Sequence, residues 1–331
     1  MKAWISHEPG GPETLVLDEL PDPIPADDEV LVKIDAVGVN YPDGLLLRDL
    51  YQVKPPRPFV PGSEFCGVVE HAGAGVTRLR PGDLVIGRCG WGAMAERIAV
   101  TAQRCVRIAP ETPRAQAAAF MFAYATAYHS LVDAAQLRAG QTVLVLGAAG
   151  GVGSAAVEVA RALGARVLAA VSSDSKLAFA LARGASAGIV YDAQVADKDA
   201  QQALARQLKE MAGGGCDVVV DPVGGLYTEP ALRSLKRGGR HLVVGFTAGI
   251  PRVPLNLALL KSLQIIGVDW RSFVQDDPKL NDRNVQSLLA MWREGVLQPE
   301  VTETFTLAEA PAAIARLDSR SALGKIVVVA R

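Results

Sequence analysis

The chain has 331 residues, of which 50% are hydrophobic and 21% charged. This composition supplies enough apolar material for about two domain cores and excludes the disordered and fibrous classes. The 34 Lys and Arg residues nearly balance the 35 Asp and Glu residues, which leaves a formal net charge of −1. Such a chain has no overall positive field to hold nucleic acid.

The chain lacks the patterns typical of targeting segments and of metal sites. Its first nine residues contain no apolar stretch of the length that a signal peptide needs, and no run of about 18 apolar residues occurs anywhere. The four cysteines are scattered without a C-x-x-C pair, which argues against a disulfide framework and a structural zinc site. We therefore expect a cytoplasmic protein without a membrane span.

Residues 1–123 have the pattern of a β-rich domain. Short β-type runs such as Glu29–Ile34, Gly67–Glu70 and Asp83–Ile86 are separated by dense Pro and Gly punctuation. This pattern predicts a mostly antiparallel, barrel-like unit.

Between residues 124 and 261, apolar strands alternate with helices. Strands are predicted at 142–146, 166–171, 217–220 and 240–244, and the helices that follow them at 152–163, 174–183, 225–235 and 256–261. Alternation of this kind is typical of a doubly wound parallel sheet covered on both faces.

The last part of the chain, residues 262–331, is predicted to return to the first domain. It contains an apolar strand from Leu263 to Val268, an amphipathic helix near 281–293 and a closing run from Gly324 to Val329. The predicted fold is therefore α/β, with a β-rich domain of 1–123 and 262–331 and a doubly wound domain of 124–261.

The sharpest motif is a glycine turn directly after the strand at 142–146. It matches the dinucleotide fingerprint, with Ala148 in place of the first glycine, followed by Gly150 and Gly153. Gly150 lets the backbone approach a pyrophosphate, and Gly153 lets the helix pack on the strand. We expect the cofactor phosphates to bind at Ala149, Gly150, Gly151, Val152 and Gly153.

The end of the next strand indicates which dinucleotide binds. Folds that prefer NAD place an acidic residue there for the ribose 2′-hydroxyl, whereas this chain has Val171. Ser172, Ser173 and Lys176 follow and can donate to a 2′-phosphate, so we predict NADPH. The serines can also cap the next helix, and Asp174 is a counter-argument because its carboxylate repels phosphate.

A series of ordered motifs runs along the whole chain: Gly38–Asp43, Pro58–Glu64, Gly147–Gly153, Asp217–Gly225, Gly238–Arg240, Gly267–Trp270 and Gly324-Lys325. With these motifs the chain resembles the medium-chain dehydrogenase/reductase superfamily from end to end, and within it the zinc-free, zeta-crystallin-like NADPH:quinone oxidoreductases. The resemblance implies a GroES-like catalytic domain and a Rossmann NADP-binding domain.

The resemblance also implies the chemistry. Zinc alcohol dehydrogenases of this superfamily bind their catalytic metal through Cys, His and Cys, and those positions correspond to Asn40, Ser63 and Phe122 here. Phe cannot ligate a metal, so no metal is expected. The implied reaction is hydride transfer from NADPH to a quinone or another α,β-unsaturated carbonyl.

Tyr51 is the candidate proton donor. It lies eleven residues after Asn40, which matches the spacing from Asn to the catalytic Tyr in the 2-enoyl thioester reductases of the superfamily. Asn40 is expected to orient the substrate or the nicotinamide ribose; the alternatives are that Tyr51 only lines the pocket and Asn40 only forms a turn. Relatives usually have Gly two residues before this Tyr, where this chain has Asp49, which tolerates positive φ.

Further cofactor contacts follow from the resemblance, each with packing as its alternative explanation. Those expected at the nicotinamide end are Thr126, Gly245, Phe246, Val268 and Trp270. Tyr191 is expected near the adenosine phosphate, and Arg320 at the 2′-phosphate.

Two other functions remain open, namely an enoyl-thioester or 2-alkenal reductase and a dinucleotide-binding protein without turnover. Superfamily members commonly dimerise by pairing the sheet edges of their nucleotide domains, and the strand from Leu263 to Val268 is apolar enough to be such an edge. We therefore expect a homodimer.

Overall fold

The computed structural model describes residues 1–192, 197–319 and 321–330. Its first compact unit contains residues 1–122 and 299–331, and its second unit is Ala123–Gln298. The first boundary lies one residue from the predicted one. The predicted return to the first domain at residue 262 is wrong, because the strand after that point pairs within the sheet of the second unit.

The strands of the described residues are β1 (Lys2–Ile5), β2 (Val16–Glu19), β3 (Glu29–Val39), β4 (Glu64–Ala72), β5 (Leu84–Arg88), β6 (Arg97–Thr101), β7 (Cys105–Arg107), β8 (Thr142–Leu146), β9 (Arg166–Val171), β10 (Ala187–Val190), β11 (Cys216–Asp221), β12 (Leu235–Val243), β13 (Gln264–Gly267), β14 (Val301–Thr306) and β15 (Lys325–Val329). Their α-helices are α1 (Tyr41–Leu47), α2 (Arg114–Ala118), α3 (Met121–Tyr128), α4 (Gly151–Ala162), α5 (Asp174–Ala182), α6 (Lys198–Met211), α7 (Thr228–Ser234), α8 (Asn256–Lys261), α9 (Trp270–Asp276), α10 (Pro278–Arg293) and α11 (Ala310–Asp318).

The first unit is built on a mainly antiparallel sheet in the order β14-β15-β3-β4-β5-β7, with β6 also paired to β3. Strand β3 is long enough to pair with β4, β6 and β15. Apolar residues along these strands, among them Val32, Val37, Phe65 and Ile326, are buried in one core. This is the β-rich, GroES-like domain that the sequence predicts.

The second unit is a six-stranded parallel sheet in the order β10-β9-β8-β11-β12-β13. Strands β8 and β11 are almost wholly buried, as expected for a sheet covered on both faces. From β8 the chain adds β9 and β10 on one side of the sheet, and then β11, β12 and β13 on the other. The switch point between β8 and β11 is where such folds bind their ligands. The predicted Rossmann fold is confirmed, although β10 and α6 had no predicted bounds.

The predicted apolar strand after residue 262 is β13, and it lies at the edge of this sheet. No helix within the described ranges is long and apolar enough to cross a membrane.

Candidate functional site

The predicted phosphate turn lies at the carboxyl end of β8. Gly147 adopts a φ of +58°, its N–H donates to the Ala170 carbonyl at 2.9 Å, and its own carbonyl accepts the Gly150 N–H at 3.0 Å. Helix α4 begins directly afterwards, at Gly151, so its first amides follow the turn without an intervening loop. A turn closed in four residues thus leads straight into the amino end of a helix.

The two glycines of the fingerprint are required for different reasons. A Cβ at position 153 would lie 2.1 Å from the Gly147 carbonyl oxygen, so the contact between α4 and the turn excludes any side chain there. A Cβ at Gly150 would have its nearest neighbour at 3.5 Å, an ordinary contact. The chain itself therefore leaves room at Gly150, as expected where the backbone must stay open to a phosphate.

After β9, the residues predicted to bind the 2′-phosphate form a small polar group. The Ser173 side chain accepts the Lys176 N–H at 3.3 Å and caps α5, while the Lys176 ammonium donates to Ser172 Oγ at 2.9 Å. Partial burial lowers the pKa of Lys176. Ser173 therefore caps α5 while the Lys176 ammonium is held at the end of β9. Helix capping does not prevent these residues from also binding a phosphate.

The loop after β11 is held by a buried carboxylate. Asp221 Oδ1 accepts the N–H groups of Val223 and Gly224 at 2.9 and 2.8 Å, and its Oδ2 accepts the Thr228 hydroxyl at 2.8 Å. His241 Nε2 lies 3.1 Å from Oδ2. Burial opposes the charge of Asp221, but these partners outweigh it and hold its pKa below the ordinary value. The loop that borders the switch point is thereby fixed.

Tyr191 follows β10 and is buried. Its N–H donates to the Val171 carbonyl at 2.8 Å, and its ring centroid lies 4.7 Å from that of Tyr227. Burial, reinforced by Tyr227 and Asp221, raises the pKa of the Tyr191 phenol. The ring packs in the core of the second unit as well as lying at this end of the sheet.

The residues predicted at the nicotinamide end differ in solvent exposure and in their hydrogen bonds. Phe246 is 42% exposed after β12, and the Val268 N–H donates to the Val243 carbonyl at 2.9 Å. Trp270 is buried and its Nε1 donates to Asn281 Oδ1 at 3.0 Å, so the indole also holds α9 to α10. Thr126 is buried in α3, where its carbonyl accepts the Ser130 hydroxyl.

The parallel strands bring most of these residues to one edge of the sheet. Those that follow a strand there within two residues are Gly147 after β8, Ser172 after β9, Tyr191 after β10, Gly245 after β12 and Val268 after β13. Arg320 lies outside the described residues.

The first unit contains a buried polar cluster around Glu64, which we call the Glu64 cluster: Asn40, Asp43, Ser63, Glu64 and Lys325. The Lys325 ammonium donates to Asn40 Oδ1 at 2.6 Å, to Glu64 Oε1 at 2.7 Å and to the Val39 carbonyl at 3.1 Å. Asn40 Nδ2 donates to the same Glu64 oxygen at 2.9 Å and lies 3.4 Å from Ser63 Oγ. The ammonium therefore sets the orientation of the Asn40 amide.

Asp43 is the second carboxylate of this cluster, and it is completely buried. Its Oδ2 accepts the Asn40 N–H at 2.8 Å, whereas no hydrogen-bond partner among the described residues meets its Oδ1. Burial raises the pKa of Asp43 to about 7, and Glu64 acts in the same direction, against the Asn40 N–H and Lys325. The interior of the first unit therefore favours the protonated form of Asp43 more than water does.

Two of the three positions that correspond to zinc ligands in the alcohol dehydrogenases meet Glu64, and the third, Ser63, meets Asn40. The Phe122 N–H donates to Glu64 Oε2 at 2.8 Å. An amide, a hydroxyl and a phenyl ring at these three positions do not fit a zinc ion, which binds thiolates, imidazoles and carboxylates. Among the described residues, no group of three or more His, Cys, Asp or Glu is placed to hold a metal.

Tyr51 lies in the loop after α1 and is half-buried against the core of the first unit. Asp49, two residues earlier, adopts a φ of +56°, so the left-handed turn expected at the usual glycine position is present. Sequence reasoning did not assign roles to Lys325, Asp221 or Arg57, a partner of Asp49. Two of them leave a signal in the sequence: Lys325 is a lysine at the start of an apolar strand, and Asp221 is an aspartate at the end of another.

Two family models match the chain. Residues 26–110 match the alcohol dehydrogenase GroES-like domain, and residues 151–284 match the zinc-binding dehydrogenase model. The chain is 36% identical over 304 residues to quinone oxidoreductase-like protein 2 of Rattus norvegicus, which covers 91% of this chain and 84% of that protein.

Solved structures of quinone oxidoreductases are also similar to the chain over nearly its whole length. The quinone oxidoreductase of Thermus thermophilus, also solved in complex with NADPH, is 36% identical with a TM-score of 0.85 over 99% of this chain and 100% of that one. The Escherichia coli quinone oxidoreductase, complexed with NADPH, is 28% identical with a TM-score of 0.89 over the same shares. The chain therefore belongs to the quinone oxidoreductase branch of the medium-chain dehydrogenase/reductase superfamily.

Proposed function

We propose that this protein is a zinc-independent, NADPH-dependent reductase that transfers hydride to a quinone or another α,β-unsaturated carbonyl. The observations that carry the proposal are the open turn at Gly150 and a Lys176–Ser172 pair that directly follows Val171, the residue at the position where NAD-binding folds have an acid. The NADPH complexes of two relatives support the same cofactor.

The second unit would hold the cofactor. Ala149, Gly150, Gly151, Val152 and Gly153 would bind the pyrophosphate through backbone N–H groups at the start of α4. Ser172, Ser173, Lys176 and, from the sequence, Arg320 would bind the 2′-phosphate. Thr126, Tyr191, Gly245, Phe246, Val268 and Trp270 remain proposed contacts. When bound, NADPH supplies a hydride.

The first unit would serve the acceptor. A phenol is protonated at neutral pH, so Tyr51 Oη can deliver a proton to the α-carbon of an enolate, and water restores the proton to the phenolate. Asn40, whose Oδ1 accepts from Lys325, would orient a hydroxyl of the substrate or of the nicotinamide ribose. For a quinone, one hydride and one proton give the hydroquinone.

Steady-state rates of NADPH oxidation test the function. We expect turnover of 1,4-quinones, with alkenals and crotonyl thioesters measured in parallel under the same conditions. Turnover confined to thioesters would replace the quinone assignment with an enoyl-thioester reductase. Binding of NADPH without turnover of any acceptor would favour a non-catalytic dinucleotide-binding protein.

We further propose a homodimer in which β13 of one copy meets β13 of another. The strand is an edge of the parallel sheet, and Ile265 within it is 41% exposed. Leu259 and Leu260 in the preceding α8 are 80% and 66% exposed. An apolar, unpaired sheet edge favours pairing with a second edge. A cytoplasmic location and the absence of a nucleic-acid partner remain predictions from the sequence.

A further inference from the structure

The segment that carries Tyr51 starts with a backbone turn at the end of α1. Asp49 is left-handed, and its N–H donates to the Leu46 carbonyl at 3.2 Å. The next N–H, of Leu50, donates to the Leu45 carbonyl at 2.9 Å. Gly, Asn and Asp all tolerate this conformation, so the backbone turn alone does not require a carboxylate.

The carboxylate of Asp49 has a specific partner at the far end of the loop. Arg57 Nη1 lies 2.7 Å from Asp49 Oδ1, and the two side chains are only 15% and 28% exposed. Arg57 Nη2 donates to the Leu47 carbonyl at 2.8 Å, and the guanidinium lies over the Phe59 ring, 5.4 Å from its centroid. The Arg57 guanidinium thus links Leu47 at the end of α1 and the left-handed Asp49 to Phe59, which lies beyond the loop.

These contacts close a loop around Tyr51. Residues 50–56 form neither helix nor strand, so the shape of the loop depends on what ties its two ends together. Leu50 is 69% exposed, whereas Tyr51 packs partly against the core. A partly buried ion pair in a planar, multiply bonded geometry holds such a loop better than an exposed pair does.

We propose that Asp49 and Arg57 are positioning residues that fix Tyr51 and so determine which acceptors the enzyme reduces well. This inference rests on the proposed role of Tyr51. Enals and enones need a proton delivered to carbon, and they should depend on the position of the Tyr51 hydroxyl. Quinones form oxyanions that water protonates, so their reduction should depend on it much less.

The test compares acceptors in variants of the intact protein. Asp49→Asn removes the charge but keeps a residue that tolerates positive φ. Asp49→Gly also removes the charge, and glycine adopts positive φ without steric cost. We expect both to lower kcat with a 2-alkenal by about tenfold, as small misplacements of a catalytic group do, with less than about twofold change for a 1,4-quinone. Asp318→Asn is the matched control, because it breaks the neighbouring ion pair of Arg48, at 2.6 Å, without touching the loop.

A double-mutant cycle separates positioning from general stability. Tyr51→Phe should lower alkenal turnover by about a hundredfold, the usual contribution of a general acid, and Asp49→Asn should add nothing in that background. Equal losses for both acceptors, or additive effects in the cycle, would overturn the inference. If Asp49→Asn unfolds at a much lower temperature than the native protein, Arg57→Lys is compared with the two acceptors in its place. This variant keeps both charges but cannot contact Asp49 and the Leu47 carbonyl with two separate nitrogens.

The outcomes distinguish the inference from the proposed function. Loss of alkenal turnover in Tyr51→Phe without loss in Asp49→Asn overturns the positioning role and leaves Tyr51 as the donor. Quinone turnover without any alkenal turnover overturns the inference but leaves hydride transfer to quinones intact. No turnover of either acceptor overturns the proposed function itself.

Discussion

Lys325 and Glu64 form an ion pair of 2.7 Å whose side chains are 7% and 1% exposed. Each charge is stable in the interior of the first unit because the other compensates it and because Asn40 and the Phe122 N–H satisfy the remaining atoms. Removing one member alone leaves an uncompensated buried charge.

We therefore expect Lys325→Met to destabilise the protein by about 3–5 kcal/mol in urea unfolding. The double variant Glu64→Gln with Lys325→Met should lose less than the single variant, since it buries no net charge. Substitution of the exposed Lys279 by Met serves as the control. A double variant less stable than Lys325→Met would contradict this account.

Asp43 makes stability depend on pH. Burial raises its pKa from the ordinary 3.8 to about 7, so the folded state favours the protonated form. Its contribution is complete below about pH 4 and is lost as the pH rises through 7, a difference on the order of 4 kcal/mol. The unfolding free energy should fall between about pH 4 and pH 7 in the native protein, and this fall should be much smaller in Asp43→Asn. Asp28→Asn, at an exposed position, should behave like the native protein.

The two glycines of the turn provide a matched pair. Gly153→Ala places a Cβ 2.1 Å from a backbone oxygen, so we expect a loss of stability of about 1–3 kcal/mol together with weaker NADPH binding. Gly150→Ala meets no close protein atom and should melt close to the native temperature, yet raise the Kd for NADPH. Calorimetry and fluorescence titration measure the two effects, and unchanged NADPH affinity in Gly150→Ala would argue against phosphate binding at this turn.

Lys176 should determine the preference for NADPH. Lys176→Ala removes a charge-assisted contact to the 2′-phosphate, so we expect the Kd for NADPH to rise about 10- to 100-fold while that for NADH changes little. Lys279→Ala, exposed on α10, is the control. An equal loss of affinity for both cofactors would mean that Lys176 stabilises the Ser172 segment and does not contact the 2′-phosphate.

A charge on the edge strand should prevent the proposed dimer. Ile265→Lys introduces a cation at a partly exposed position of β13, a device by which natural edge strands avoid pairing. Sedimentation at micromolar concentration should show a dimer for the native protein and a monomer for the variant. A native monomer would refute the dimer directly.

The fold and the cofactor turn could be predicted from the sequence because their causes are local. The strand at β8, the glycine turn and α4 are consecutive in the chain, and the steric conflict at Gly153 arises within seven residues. The predicted boundary at residue 262 is wrong because nothing local marks a return between units, whereas β13 is placed by pairing with β12.

The Glu64 cluster lies beyond sequence reasoning for a related reason. The sequence identifies Asn40, but its amide is oriented by Lys325, 285 residues away, and a lysine in an apolar strand does not reveal its partner. The pair of Asp49 and Arg57 escapes prediction in the same way. The tolerance of Asp49 for positive φ is a property of the residue, whereas its ion pair depends on how the loop folds back.

The position of β15 in the first sheet has a consequence for biosynthesis. This strand lies between β14 and β3, yet it is made after the whole of the second unit. On the ribosome, β3 therefore has an open edge and Glu64 lacks its cation until residue 325 has emerged. The second unit is contiguous and can fold before then, so the domain whose synthesis begins first is the last to be completed.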